Sequence, residues 1–182
     1  MRVLLVDGFA EASPVSEATR SALEASGHGI TVLKLADAGF DTFMSADERR
    51  AYHEPHNLIS PEQQASADLV RSHDALVICT PIRSGTIEPR VKSWFERVFI
   101  PEVSFTFTKG GRITGALKNI RRVAMIVDCP DDDPAPHRRG GSTRSVVRAV
   151  RLNCAKTCRS TYVQLHPGTD TQAHIASALN RW

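Results

Sequence analysis

Short apolar runs alternate with amphipathic stretches along the whole chain, and the two periods separate strands from helices. Arg2 to Val6 reads as a first strand around Val3-Leu4-Leu5-Val6. Ser16 to Ser26 follows as a helix, with Ser13 or Ser16 as its N-cap and Gly27 just past its end. Ile30 to Leu35 is a second strand, and Ala36 to Ser60 an irregular insert. Pro61 and Glu62 open a helix that runs to Arg71. Leu76 to Cys79 is the third strand and Pro89 to Phe99 the next helix. Arg121 to Val127, Ser142 to Cys154, Tyr162 to Leu165 and Thr171 to Asn180 complete the order as strand, helix, strand, helix.

Near-continuous apolar strands separated by helices predict an α/β protein with a five-stranded parallel sheet, buried on both faces. The crossovers are right-handed. The expected arrangement is flavodoxin-like, strand order 2-1-3-4-5 with helices on both faces. A ligand then lies beyond the C-terminal ends of the first, third and fourth strands. With 182 residues the chain fits one domain spanning 1–182.

Composition narrows the function. The apolar runs are strand-sized, too short to span a bilayer, and the start of the chain has too short an apolar run for a signal peptide. A cytoplasmic protein without membrane insertion is expected. Cys79 and Cys129 sit at strand ends, while Cys154 and Cys158 have the i, i+4 spacing of a helix face. Further ligands at metal-binding spacing are not evident, so reduced structural thiols are expected and no metal.

The net charge of +3 is unevenly spread. From Pro134 to Thr169 there is no acid, against Arg138, Arg139, Arg144, Arg148, Arg151, Lys156 and Arg159. The segment lacks the interleaved aromatics of a nucleic-acid stacking platform. A solvated helix face and a set of arginines for a phosphorylated ligand both remain open.

Three loops occupy the ligand-binding edge. The first, Asp7 to Ser16, ends on a helix N-terminus, where amides and serine hydroxyls favour an anion; Ser13 and Ser16 could equally serve only as caps. In the second, Pro81 turns the chain out of the sheet and Ser84-Gly85-Thr86 exposes backbone amides to a planar ring, unless it is an ordinary connection. The third runs from Asp128 to Gly141. Its Asp131-Asp132-Asp133 run suits a solvated turn better than a cation, and His137 is a candidate proton donor near neutral pH.

Pro81-Ile82-Arg83-Ser84-Gly85-Thr86-Ile87, with Lys92 and Trp94-Phe95-Glu96-Arg97-Val98-Phe99, resembles the isoalloxazine loop and following helix of flavodoxin-like NAD(P)H:quinone oxidoreductases and the related NADPH-dependent FMN reductases. Phe40-Asp41 with Ser45 to His53, and Gly110 to Leu117 as a hairpin before the fourth strand, are similar to further segments of the quinone reductase branch. The resemblance implies FMN, with FAD as the other option, NADPH or NADH as donor, and a quinone-like acceptor. It also implies a homodimer with the site at the subunit boundary.

Carried over by position, Ser13 and Ser16 would hold the flavin phosphate. Pro81, Ile82, Arg83, Ser84, Gly85, Thr86 and Ile87 would edge the ring, and Asp128, Cys129 and Pro130 would form the third flavin loop. Arg138 and Arg139 are candidates, by charge and position, for the 2′-phosphate of NADPH. Helix residues Trp94, Phe95, Val98 and Phe99 are candidates for a dimer contact or for core packing.

The chain also departs from the pattern. Ser84 and Gly85 replace the usual tryptophan and phenylalanine, and Phe9 the usual histidine. Pro14-Val15-Ser16 replaces Ser-Phe-Asn, and Asp128 stands where Thr-Gly-Gly is customary. These changes sustain an alternative: a flavin-free binding or regulatory subunit on the same scaffold.

Overall fold

The computed structural model describes residues 1–83, 86–129, 142–180 and 182. Five strands form the expected parallel sheet: β1 (Arg2–Asp7), β2 (Gly29–Lys34), β3 (Ala75–Arg83), β7 (Arg122–Asp128) and β8 (Arg159–Leu165). Their order is β2-β1-β3-β7-β8, which is 2-1-3-4-5 when only these strands are counted. β4 (Thr86–Ile87) pairs antiparallel with the end of β3. β5 (Phe105–Phe107) and β6 (Ile113–Gly115) form the hairpin expected before β7, as a separate two-stranded sheet.

Alternation along the central strands creates two cores from single apolar runs. Val3 and Leu5, Ala75 and Val77, and Ala124 and Ile126 face α1 (Pro14–Ala25) and α6 (Thr171–Leu179), packing on Val15, Leu23, Ile175 and Leu179. Leu4 and Val6, Leu76 and Ile78, and Val123 and Met125 face the other way. They meet Val70 of α3 (Pro61–Ser72), Val91, Trp94 and Val98 of α4 (Pro89–Val98), and Val147 and Val150 of α5 (Ser142–Asn153). Each such aliphatic side chain removed from water contributes about 1.5–3 kcal/mol.

Several boundaries differ from expectation. α1 begins at Pro14 rather than Ser16, and of the two expected caps it is Ser13 that serves, accepting a hydrogen bond from the Val15 amide at 3.2 Å. β3 runs on through Pro81, which lies opposite Asp128 of β7 rather than turning the chain out of the sheet. The reason is hydrogen-bond parity. The Cys79 carbonyl points toward β1, where it accepts from the Gly8 amide at 2.8 Å. Residue 81 points the same way, but β1 ends at Asp7, opposite Cys79, so proline removes no ladder bond. Cys154 and Cys158 both lie past the end of α5, so their spacing is not a helix face.

The insert after β2 is not wholly irregular. It holds α2 (Ala46–Ala51), opened by a capping box in which the Ser45 hydroxyl accepts from the Glu48 amide and the Glu48 carboxylate accepts from the Ser45 amide. Glu48 then accepts a 2.5 Å bond from Arg97 Nε of α4, and both side chains are more than nine-tenths buried. The Arg97 guanidinium lies over the Phe40 ring, 4.6 Å from its centroid. Its Nη1 is buried without a hydrogen-bond partner among the described residues. Ser93 of α4 adds a 2.5 Å bond to the Asp41 carbonyl. The insert is thus clamped to α4 by polar contacts, above a small cluster of Ala67, Ile100 and Val103.

Glu48→Ala leaves Arg97 buried with its charge uncompensated. Urea unfolding should show a loss of about 3–5 kcal/mol, and Glu48→Ala combined with Arg97→Met should recover much of it.

Candidate functional site

The sheet register makes a stepped edge. β1 stops at Asp7, level with Cys79, whereas β3 and β7 continue to the level of Pro81 and Asp128. The first loop leaves from the lower step and returns as α1, while β3 continues past it into the β3–β4 hairpin. Gly8 is required at the step: a Cβ there would lie 2.3 Å from Val91 Cγ2 and 3.1 Å from the Cys79 carbonyl oxygen. Asp7 is buried at the end of β1, and its Oδ1 accepts from the Phe9 amide at 3.0 Å. Sequence reading placed Asp7 in the loop but missed it as a site residue; its position at a strand end beside glycine was the available signal.

Ser13 and Ser16 are both buried at the start of α1. Ser13 Oγ accepts from Val15 and keeps its own proton to donate. Ser16 Oγ has no well-formed hydrogen bond among the described residues; its polar neighbour there is the buried Cys79 thiol, on which it acts weakly. The amides of Ala10, Glu11 and Ala12 likewise donate to no protein group among the described residues. A helix N-terminus with an unsatisfied buried hydroxyl and open amides suits an anion such as a flavin phosphate.

The second loop is fastened from beneath. Thr80, wholly buried, donates from Oγ1 to the Pro81 carbonyl at 3.0 Å and accepts from the Glu88 amide at 3.4 Å. Thr86 Oγ1 donates to the Arg83 carbonyl at 2.9 Å. Pro81 and Ile82 are buried and Ile87 is half-buried, whereas Arg83 and Thr86 are exposed at the rim. Among the described residues Arg83 has no acidic partner. Ser84 and Gly85 lie outside the described residues.

On the third side the Cys129 amide donates to the Leu165 carbonyl at 2.9 Å, and Gln164 Nε2 donates to Cys129 Sγ at 3.6 Å. Thr143 and Tyr162 join their hydroxyls at 2.8 Å, and the Arg144 guanidinium lies over the Tyr162 ring. Burial pushes the Tyr162 phenol up, against the Thr143 hydrogen bond and the Arg144 charge. These contacts hold the start of α5 against β8 beside Cys129; they pair residues far apart in sequence and carry no local motif. Pro130, His137, Arg138 and Arg139 lie outside the described residues, so the structure brings together Ser13, Ser16, Pro81, Ile82, Arg83, Thr86, Ile87, Asp128 and Cys129 only.

The expected Tyr52-His53 mark lies elsewhere. Its rings meet edge to face, with centroids 4.9 Å apart, in a recess of about 360 Å³ shared with Met44, Arg49 and Glu96. Burial and, secondly, the Glu96 charge push the Tyr52 phenol up. Of the aromatic stretch in α4, Trp94 and Val98 are wholly buried in the core, and Phe95 is half-buried against it, as is Phe99 just beyond the helix.

Comparison with known proteins agrees with the fold. The sequence pattern of a family described as having a flavodoxin-like fold matches residues 1–182. The chain belongs to that family. Over 94 residues it is 29% identical to an FMN-dependent NADH:quinone oxidoreductase of Vibrio parahaemolyticus, covering 44% of this chain and 48% of the relative. The chain therefore spans about half the length of that curated relative. An NAD(P)H:quinone oxidoreductase from Methanothermobacter marburgensis superposes with a TM-score of 0.75 at 19% identity, over 99% of this chain and 96% of that one. An FMN-dependent NADH-azoreductase from Bacillus anthracis, solved with FMN, gives 0.68 at 16% identity over 97% and 94%. Both show a shared fold.

Two outcomes test the packing of the flavodoxin-like edge. Gly8→Ala should cost about 1–3 kcal/mol and lower the melting temperature, with partial recovery when Val91→Ala is added. Burial raises the Cys79 thiol from its ordinary 9.0 to about 12, with the Thr19 and Ser16 hydroxyls opposing. Above pH ~9 the unfolded chain loses this proton while the folded one keeps it, so stability falls as pH rises. Cys79→Ala should make that alkaline fall shallower.

Proposed function

We propose that the chain is a flavin-dependent NAD(P)H oxidoreductase that passes two electrons to a quinone-like acceptor, acting in the cytoplasm as a homodimer. The observation that carries this reading is the stepped edge, where one loop offers the buried Ser16 hydroxyl and open amides and the next is a hairpin locked by Thr80 and Thr86. The names of the relatives support FMN, a nicotinamide donor and a quinone acceptor.

Bound at this edge, FMN would supply the hydride chemistry, so the protein needs no nucleophile or metal of its own. The task of the chain is placement. Ser13 and Ser16 would donate to the phosphate at the N-terminus of α1. Pro81 to Ile87 would line the ring edge, held still by the two threonines, and Arg83 would offset negative charge there. Asp128, Cys129 and Pro130 would close the third side. His137 would supply a proton to the acceptor, and Arg138 and Arg139 would meet the 2′-phosphate when the donor is NADPH.

Asp7 and Asp128 favour a second reading, a flavin-free binding subunit. Carboxylates at the ends of β1 and β7 oppose a reduced, negatively charged ring.

An absorption spectrum separates the two. FMN should bind with a rise in melting temperature, and NADH or NADPH added without oxygen should bleach its band. Saturating FMN that changes neither spectrum nor melting temperature would leave the binding subunit as the surviving reading. If Ser16 holds the phosphate, Ser16→Ala should weaken FMN binding about tenfold.

A further inference from the structure

A second recess lies at the opposite end of the sheet, where β7 begins. It encloses about 640 Å³ between β6, the chain that leads into β7, and the end of α5, within the size range of small-molecule sites. Its walls are joined through backbone. The Leu117 amide donates to the Asn153 carbonyl at 2.9 Å and the Ala155 amide to the Ile120 carbonyl at 3.1 Å. A Cβ on Gly115 would stand 2.6 Å from Asn153 backbone atoms, so only glycine allows this contact. The cleft is a fixed feature of the fold.

Lys118, Arg148, Arg151 and Lys156 line it, and among the described residues no acid does. None of the four is paired with an acid among the described residues. Arg151 is held in place by a 2.9 Å bond from its Nε to the Cys158 carbonyl. Cations in the last turn of a helix complement its dipole, which accounts for Arg151 and, just beyond the helix, Lys156. It does not account for Arg148, which precedes that turn, or for Lys118, which comes from a different segment. The local positive potential also reaches the interior. Hydrogen bonding with Cys154 holds the Cys158 thiol below its ordinary range, and the charges of Arg151 and Arg122 act the same way against burial.

We propose that this cleft binds a small phosphorylated anion through Lys118, Arg148, Arg151 and Lys156, at a site separate from the flavin edge. Four like charges around one concavity repel one another, and a bound polyanion removes that repulsion. Phosphate oxygens meet the guanidinium groups bidentately. The apolar Ile113 and Leu152 beside them, both exposed, offer contact to the organic part of such a ligand. The β7 strand separates the cleft from Asp128 by about 20 Å at 3.3 Å per residue, so the two sites are filled independently.

Inorganic pyrophosphate is the probe, followed by calorimetry and melting temperature at low, constant salt. It should bind and raise the melting temperature. Arg148→Ala and Lys156→Ala, both exposed side chains whose loss leaves the core intact, should each weaken binding about tenfold or more. Arg50→Ala, an equal charge change on α2, should leave it unchanged, and Ser16→Ala should spare the binding that Arg148→Ala removes. Absence of binding overturns the proposal, as does equal weakening by all four variants. Weakening by Ser16→Ala alone places the probe at α1 and also overturns it. So does a DNA duplex that binds through Arg148 when pyrophosphate does not, because the face would then serve nucleic acid.

Discussion

The side chains of β1, β3 and β7 leave the sheet alternately on its two faces, and both sets are withdrawn from water. Strands of this kind need helices above and below, and parallel neighbours can be joined only by crossovers. Much of the architecture follows from that requirement. Every crossover returns the chain to the same end of the sheet, so the loops after β1, β3 and β7 gather at one edge. The edge is uneven because β1 ends one step below β3 and β7. The loop into α1 therefore leaves the sheet at a lower level than the β3–β4 hairpin.

The helix layer on one face carries a further burden. α4 covers the core with Val91, Trp94 and Val98 and at the same time presents Arg97 to Glu48 of the insert. A buried ion pair is a poor source of stability compared with apolar packing, but it is costly to break and strict in geometry. Here it selects one docking of the insert, with Phe40 stacked on the guanidinium and Tyr52 carried to Glu96. The opposite end of the sheet is organised by backbone contact at Gly115. There the charges carried by α5 collect around a cleft instead of spreading over a helix face.

Among the described residues the edge has few side-chain nucleophiles. Its polar groups, among those same residues, are hydroxyls and amides, the carboxylates of Asp7 and Asp128 at the strand ends, and the Arg83 guanidinium at the rim. The same arrangement can hold an anion and a flat ring, or present a surface to another macromolecule. The unsatisfied Ser16 hydroxyl inclines it to the first, while the carboxylates bear on the potential of any ring bound there.

Strand order, the two-faced helix layers and the gathering of the three loops at one edge were legible in the chain, because apolar period and run length are local properties that burial acts on directly. A serine cap for α1, Ser13 or Ser16, was legible from local sequence too, while the hairpin before β7 was legible only through the resemblance carried by Gly110 to Leu117. Pro81 misled, since a proline ends a strand only when its amide is needed, and that depends on where a neighbouring strand stops. The short helix in the insert and its ion pair were not legible, because Glu48 and Arg97 lie far apart and their partnership is a matter of packing. The contacts of Tyr162, Thr143 and Cys129 were hidden likewise. The sequence by itself determined which segments must be buried and which loops must meet; only the tertiary structure decided which polar groups find partners, because pairing depends on distances that no local pattern encodes.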